Sequence, residues 1–110
     1  MAEEAVQVAR QIEMIVKAIK VEGKLSKGLI EAKANTMRAY DKAIAVTSAK
    51  HKLTGMAVTM IKDQAKGDAS QLLSEMVVAT ETLKAHWERL KYLQAQMNAY
   101  QSIFRHLTHT

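Results

Sequence analysis

Residues 72–107, LLSEMVVATETLKAHWERLKYLQAQMNAYQSIFRHL, contain two interlocking series of residues that each repeat every seven positions. The first series is Leu72, Ala79, His86, Leu93, Tyr100 and Leu107. The second series is Met76, Leu83, Leu90, Met97 and Phe104. Alternating steps of four and three join them, as between the d and a positions of a coiled coil. We call these eleven positions the heptad seam; they predict a helix over about 69–107 whose apolar side packs against another helix.

The composition of the whole chain also favours helices over strands. The 110 residues include no Pro and only four Gly, so there are few residues suited to the many turns of a β fold. Apolar residues make up 48% of the chain but aromatic residues only 5%. That aliphatic mixture, with seven Met, suits helix–helix contacts better than a sheet core. The sequence therefore predicts a single all-α domain over 1–110.

Two further helices are predicted upstream of the seam. Helix 1, about 2–22, has apolar residues at steps of three and four. These residues are Ala5, Val8, Ile12, Ile15 and Ile19. The segment Gly23–Gly28, which has a glycine at each end, is predicted to be a turn. Helix 2 then covers about 27–66, and a further turn precedes helix 3.

The continuity of helix 2 is left open by its apolar pattern. A step of seven from Ile44 reaches His51 rather than Leu53, so the apolar side changes phase. Helix 2 either rotates that side or breaks within 48–55, near Gly55. The predicted architecture is an elongated helical bundle with a long antiparallel hairpin of helices 2 and 3. It has three helices, or four if helix 2 breaks.

The length of helix 3 predicts self-association. A helix over 69–107 would be about 58 Å long, whereas a globular monomer of 110 residues would be about 27 Å across. Apolar residues near the tip of the predicted hairpin would then be uncovered, which is typical of an interface. The predicted self-association residues are Met56, Met60, Ile61, Leu72, Leu73, Met76, Val77 and Leu83. We expect a homo-oligomer, a dimer or larger.

The net charge of +5 is concentrated in the middle of the sequence. Residues 17–66 carry eleven Lys and Arg against four Asp and Glu. A basic stripe is predicted along the first helix and its turn, made of Arg10, Lys17, Lys20, Lys24 and Lys27. Such a stripe is either a contact for the phosphates of nucleic acid or for an acidic protein, or a solvated helix face.

No motif for catalysis or for a cofactor is present. The chain has no Cys, no Gly-x-Ser-x-Gly turn, no Glu-x-x-His pair and no glycine-rich phosphate loop. His106 and His109 have a helical metal-ligand spacing but no third ligand, which favours two solvated residues. We therefore expect no enzyme, no cofactor and no metal.

Two residues at or beside the seam allow more than one interpretation. His86 occupies a d position between Leu83 and Leu90. It is either a hydrogen-bonded core residue that fixes the register of the helices or a buried pH switch or ligand. Trp87, at the next position, packs at the edge of the core or anchors a partner.

The sequence predicts a protein that binds other molecules and performs no chemistry. No window approaches the 18 or so apolar residues of a membrane span, and the N-terminus lacks the pattern of a signal peptide. We expect a cytoplasmic protein with no membrane contact. The leading hypothesis is a non-enzymatic assembly or adaptor protein that self-associates and binds a protein partner; a small regulatory or inhibitory protein is one form that it could take. The alternative is a nucleic-acid-associated helical protein that contacts phosphates nonspecifically through its Lys-rich middle region.

Overall fold

A computed structural model describes residues 2–109 and contains three helices. They are α1 (Ala2–Leu53), α2 (Val58–Asp68) and α3 (Ser70–Thr108). No strand occurs within the described residues, so the all-α prediction is confirmed.

The seam of α3 is confirmed residue by residue. All eleven seam positions are buried or half-buried. Among the other residues of 72–107, only Thr80 and Gln96 are shielded to that degree. The predicted apolar side of this helix is therefore the side that packs inside the chain.

The predicted turn at Gly23–Gly28 is wrong, and so is the division into helices over 2–22 and 27–66. Helix α1 runs through this segment for 52 residues. The physical reason is that its shielded positions keep the same steps of three and four throughout. Up to residue 40 this series is Ala5, Val8, Ile12, Ile15, Ile19, Glu22, Ser26, Leu29, Lys33, Thr36 and Tyr40, and it continues through Ile44, Thr47 and His51. Because tertiary packing supplies most helical stability, two glycines costing about 1 kcal/mol each do not end the helix.

Replacement of Gly23 and Gly28 by alanine is expected to stabilise the protein. A Cβ atom at either position meets nothing within 4 Å, and neither residue has a positive φ. Each change should raise the free energy of unfolding by about 0.5–1 kcal/mol, measured by urea denaturation. Gly55→Ala is the matched control and should destabilise, since Gly55 has a φ of +80°. Loss of stability at Gly23 or Gly28 would show that a turn is favoured there.

The chain leaves α1 through a glycine cap at residues 54–57, which is where helix 2 was predicted to break as one alternative. The Gly55 N–H donates to the Lys52 carbonyl at 3.2 Å, and the Met56 N–H donates to the His51 carbonyl at 3.2 Å. These two bonds, with Gly55 at φ +80°, form a Schellman motif. The described chain has three helices rather than four, because α1 is continuous from Ala2 to Leu53.

The turn predicted between helices 2 and 3 is replaced by a slight distortion at Ala69. The Ala69 N–H donates to the Ala65 carbonyl at 3.0 Å, and the Leu73 N–H donates to the Ala69 carbonyl at 3.0 Å. Hydrogen bonding therefore continues from α2 into α3. The predicted hairpin turn lies at 54–57 instead, because Gly55 alone among residues 2–109 adopts the positive φ that such a cap requires.

Contacts within the chain group it into two units. Unit 1 is Met1–Lys27 with Lys84–Thr110, and unit 2 is Gly28–Leu83. In unit 1, Ile15 is buried against Leu93 and Met97. The residues packed around this core are Ile12, Ala18, Ile19 and Tyr100. The buried apolar residues of unit 2 are Ile61, Ala65, Ala69 and Leu83.

Candidate functional site

Four polar side chains of α1 and α3 are connected by hydrogen bonds and an ion pair in unit 1. Glu22 and Ser26 lie four residues apart on α1 and therefore share a face. His86 is on α3; its Nδ1 lies 3.0 Å from Glu22 Oε2 and its Nε2 lies 2.7 Å from Ser26 Oγ. Arg89 Nε donates to Glu22 Oε1 at 2.6 Å. We call these four residues the polar cluster.

The polar cluster is satisfied although it is largely buried. The His86 side chain is 3% exposed and the Glu22 side chain 14% exposed, while Arg89 reaches solvent. A carboxylate can only accept, so His86 Nδ1 donates to Glu22, and Nε2 is hydrogen-bonded to the Ser26 hydroxyl, which can either donate or accept. No buried side-chain nitrogen or oxygen among residues 2–109 lacks a partner. The prediction of a hydrogen-bonded core histidine is confirmed; a switch at His86 stays a prediction.

The geometry of the cluster favours a structural role over catalysis. A serine–histidine–carboxylate chain is also the arrangement used for nucleophilic attack, but that chemistry needs an open cleft and free donors for an oxyanion. Ser26 and His86 lie in the middle of long helices, whose backbone N–H groups are used within the helix. The cluster can therefore fix which residues of α1 face which residues of α3, as polar seam residues do in coiled coils.

Three members of the cluster were missed by the sequence reasoning. Ser26 is seven residues after Ile19, and Glu22 is seven after Ile15, so both continue the heptads of α1. This signal was hidden by the assumed turn at Gly23–Gly28. Arg89 has no sequence signal beyond its position three residues after His86.

The predicted self-association residues divide into three groups. Ile61 and Leu83 are buried, at 9% and 8% exposure, so including them as exposed interface residues was wrong. Both fall on the sides of α2 and α3 that pack inside unit 2. Half-buried members are Met56, Leu72 and Met76. Exposed members are Met60, Leu73 and Val77.

Two valines extend the exposed group in unit 2. Val58 is 81% exposed at the start of α2, and Val78 is 64% exposed on α3. We call Val58, Met60, Leu73, Val77 and Val78 the unit 2 apolar surface. Only the last three of these lie on α3, where Leu73 and Val77 are four residues apart and share a face.

A groove of about 380 Å³ lies between α1 and α3 in unit 2. Residues that line it include Leu29, Ala32, Ser74, Val78, Ala79 and Thr82. Small and apolar side chains on both walls leave room for the larger side chains of another helix, as in helix-in-groove recognition.

A second polar contact joins α1 to α2 in unit 2. His51 Nε2 lies 2.8 Å from Asp68 Oδ2, and Gln64 Nε2 donates to Asp68 Oδ1 at 3.1 Å. The hydrogen bond with His51, followed by that from Gln64, holds the pKa of Asp68 below its ordinary value of 3.8. The contact connects the last turns of the two helices on either side of the Schellman motif.

Removal of the imidazole in His51→Ala is expected to raise the pKa of Asp68 towards 3.8. A lowered pKa in the folded state means that the contact stabilises the fold above the unfolded pKa and loses this effect as pH falls through the folded pKa. The measurement is an NMR titration of the Asp68 carboxyl carbon. Gln64→Ala is the control and should give the smaller rise. An unchanged pKa in His51→Ala would show that the two side chains do not meet in solution.

The five predicted basic residues are all exposed on α1. They are Arg10, Lys17, Lys20, Lys24 and Lys27. None of them forms an ion pair within residues 2–109. His106 and His109 are exposed as well, and the described residues contain no group of three or more potential metal ligands.

The fold redistributes the positive charge that the sequence concentrates in its middle. Unit 1 holds nine Lys and Arg against five Asp and Glu, a net charge of +4. Unit 2 holds seven against six, a net charge of +1. Residues 1–27 contribute +1 of this charge and residues 84–110 contribute +3, because Glu88 is the single acid in the second stretch.

Comparisons with known proteins supply no function to transfer, because no protein-family model, no curated protein and no solved structure matches the chain. Among residues 2–109, none of the three helices combines the length and the apolar character needed to cross a membrane. The functional conclusion therefore depends on the geometry of the two units.

Proposed function

We propose that this chain is a non-enzymatic assembly or adaptor protein, of a regulatory or inhibitory kind, that self-associates and then binds a protein partner. The observation that carries the proposal is the surface area. The chain exposes 8129 Å², whereas a globular monomer of 12.3 kDa is expected to expose about 6,100 Å². A standard interface covers about 800 Å² per partner, so the excess is enough for more than one such interface.

The distribution of apolar side chains supports the same proposal. Within residues 2–109, seven hydrophobic residues are buried, whereas seventeen large ones are exposed. Helices of this length depend on packing for most of their stability, and a pair of helices covers only one side of each. A second copy laid against the first would cover part of the remaining apolar area.

The unit 2 apolar surface is where we place the contact between copies. Leu73 and Val77 provide neighbouring branched apolar side chains on α3, and Val78 lies at the groove. A symmetric pair of chains would bring the same surface of each copy together, as isologous interfaces do. The exposed apolar and basic faces left over would receive the partner. We expect a cytoplasmic location, which the absence of Cys fits.

A cysteine footprint tests the proposed interface. The chain has no natural Cys, so Val77→Cys introduces one thiol, whose rate of labelling by a maleimide reports its exposure. Val6→Cys is the matched control, because the two valines are 49% and 50% exposed. We expect the labelling of Cys at position 77 to slow as protein concentration rises, while the rate at position 6 stays constant. Equal rates at all concentrations for both variants would contradict the interface.

A further inference from the structure

The surroundings of Trp87 point to a binding surface that self-association through unit 2 does not use. Trp87 is the sole tryptophan and is 40% exposed. Its ring contacts the buried His86 ring, with centroids 5.1 Å apart and planes at 53°. Lys84 and Lys91, three residues before and four after, are on the same side of α3 and are exposed. The indole therefore packs against His86 of the polar cluster and is partly exposed to solvent beside Lys84 and Lys91.

The exposed lysines of α1 lie on a different surface. Glu22 and Ser26 contact His86, so they mark the side of α1 that faces α3. Lys24 is two residues from each of them, about 200° around the helix, and Lys20 and Lys27 lie beside it on that outer side. Lys84 and Lys91 form no ion pair within residues 2–109.

The acidic groups nearby leave a net positive surface. The charge of Glu22 is directed to Arg89 and His86 and is largely buried. Glu88 is exposed, four residues after Lys84 and three before Lys91, so its carboxylate offsets one of these two lysine charges and leaves a local net charge of +1. Unit 1 as a whole keeps its net charge of +4.

We propose that unit 1 binds single-stranded nucleic acid, with lysines on the phosphates and a base stacked on Trp87. Backbone contact through lysines combined with stacking on an aromatic side chain is how proteins bind single strands without reading sequence. A base exposes both faces only where it is unpaired, which favours a single strand over a duplex. With one aromatic side chain and point-charge lysines, the surface has no means of bidentate base reading, so we expect no sequence preference.

Trp87 provides a direct probe of this binding in the full-length protein. Titration with an oligothymidylate of about twenty nucleotides should quench the Trp87 fluorescence, because the single indole stacks on a base. If Lys84 and Lys91 contact two phosphates, raising salt from about 50 mM to about 200 mM should weaken binding roughly 7-fold. Binding without quenching, or no binding at the lower salt concentration, would overturn the proposal.

Two pairs of charge-reversal variants, one in each unit, test which unit binds the oligonucleotide. Lys84→Glu with Lys91→Glu should weaken binding of a labelled oligothymidylate more than 10-fold, measured by fluorescence anisotropy. Lys62→Glu with Lys66→Glu changes the net charge equally but on exposed residues of unit 2, and should change affinity less than threefold. Equal losses in both pairs would overturn the assignment to unit 1. Circular dichroism should show unchanged helix content in both, since all four lysines are exposed.

The tryptophan and the class of ligand are tested in the same assay. Trp87→Leu should weaken oligothymidylate binding about 10-fold and leave the salt dependence unchanged, because stacking is lost and the lysines remain. Polyglutamate and vesicles containing phosphatidylserine should bind at least 10-fold more weakly. If either binds as tightly as the oligonucleotide, the surface is a general anion site and the proposal is overturned. Self-association would be unaffected by that result, since it depends on unit 2.

Discussion

Glu22→Ala is expected to lower the free energy of unfolding by about 2–3 kcal/mol. The change leaves the His86 Nδ1–H without an acceptor at a side chain that is 3% exposed. It also removes the carboxylate that pairs with Arg89. A buried donor without a partner costs about 1–3 kcal/mol, and the pair with the exposed Arg89 adds up to about 1 kcal/mol. Urea denaturation gives the difference.

Glu31→Ala is the matched control for that prediction. Glu31 is on the same helix, is exposed, and forms no ion pair within the described residues. Its loss should change the free energy of unfolding by less than about 0.5 kcal/mol. Similar effects at Glu22 and Glu31 would contradict the polar cluster.

Replacing the three more buried members of the cluster together tests whether the cluster fixes the register of the helices. In Glu22→Leu with Ser26→Ala and His86→Leu, no buried partner is left unpaired and the exposed Arg89 is solvated, so stability should change by only about 1 kcal/mol. The register should become less well defined, because an apolar seam no longer distinguishes neighbouring heptads. The amide NMR spectrum should then show more than one signal per residue in unit 1. A single sharp set of signals would show that packing alone fixes the register.

Leu73→Glu with Val77→Glu is expected to weaken self-association at least 100-fold, which corresponds to about 3 kcal/mol. The two side chains are neighbours on α3, and their replacement places two carboxylates in an apolar contact. The fold should persist, because both residues are at least 36% exposed and Glu is a better helix former than Val. Sedimentation velocity measures the association, and far-ultraviolet circular dichroism measures helix content.

The control for this pair is Val6→Glu with Val21→Glu. These valines are 50% and 62% exposed on α1 in unit 1, and the change in net charge is the same. Association should stay within threefold of the unaltered chain. If both pairs weaken association equally, the effect comes from charge and the unit 2 apolar surface is not the interface.

The fold could be predicted from the sequence wherever the packed side of a helix is apolar. The eleven seam positions of α3 are nearly all apolar, and each is shielded as predicted. The packed side of α1 changes from apolar residues such as Ile19 to the polar residues Glu22 and Ser26. A search for apolar residues alone therefore does not detect the helical periodicity in this segment. The two glycines beside them then suggested a turn, although neither adopts a positive φ.

The candidate sites could be predicted only in part, because they depend on which helix segments face each other. The position of His86 in the heptad seam could be predicted from the sequence. Its partners Glu22 and Ser26 could not, because they are 64 and 60 residues away in the sequence. For the same reason the surplus of positive charge was assigned to the middle of the sequence, whereas pairing of α1 with the end of α3 places it in unit 1. Exposure of Leu73 and Val77, and burial of Ile61, likewise follow from the side of each helix that α1 covers.

Light scattering on the unaltered chain, from nanomolar to high micromolar concentration, tests self-association most directly. Self-association predicts a mass that rises with concentration to at least twice the 12.3 kDa of one chain. A mass of 12.3 kDa at every concentration would contradict it, because the exposed apolar residues of unit 2 would then remain uncovered in a stable monomer.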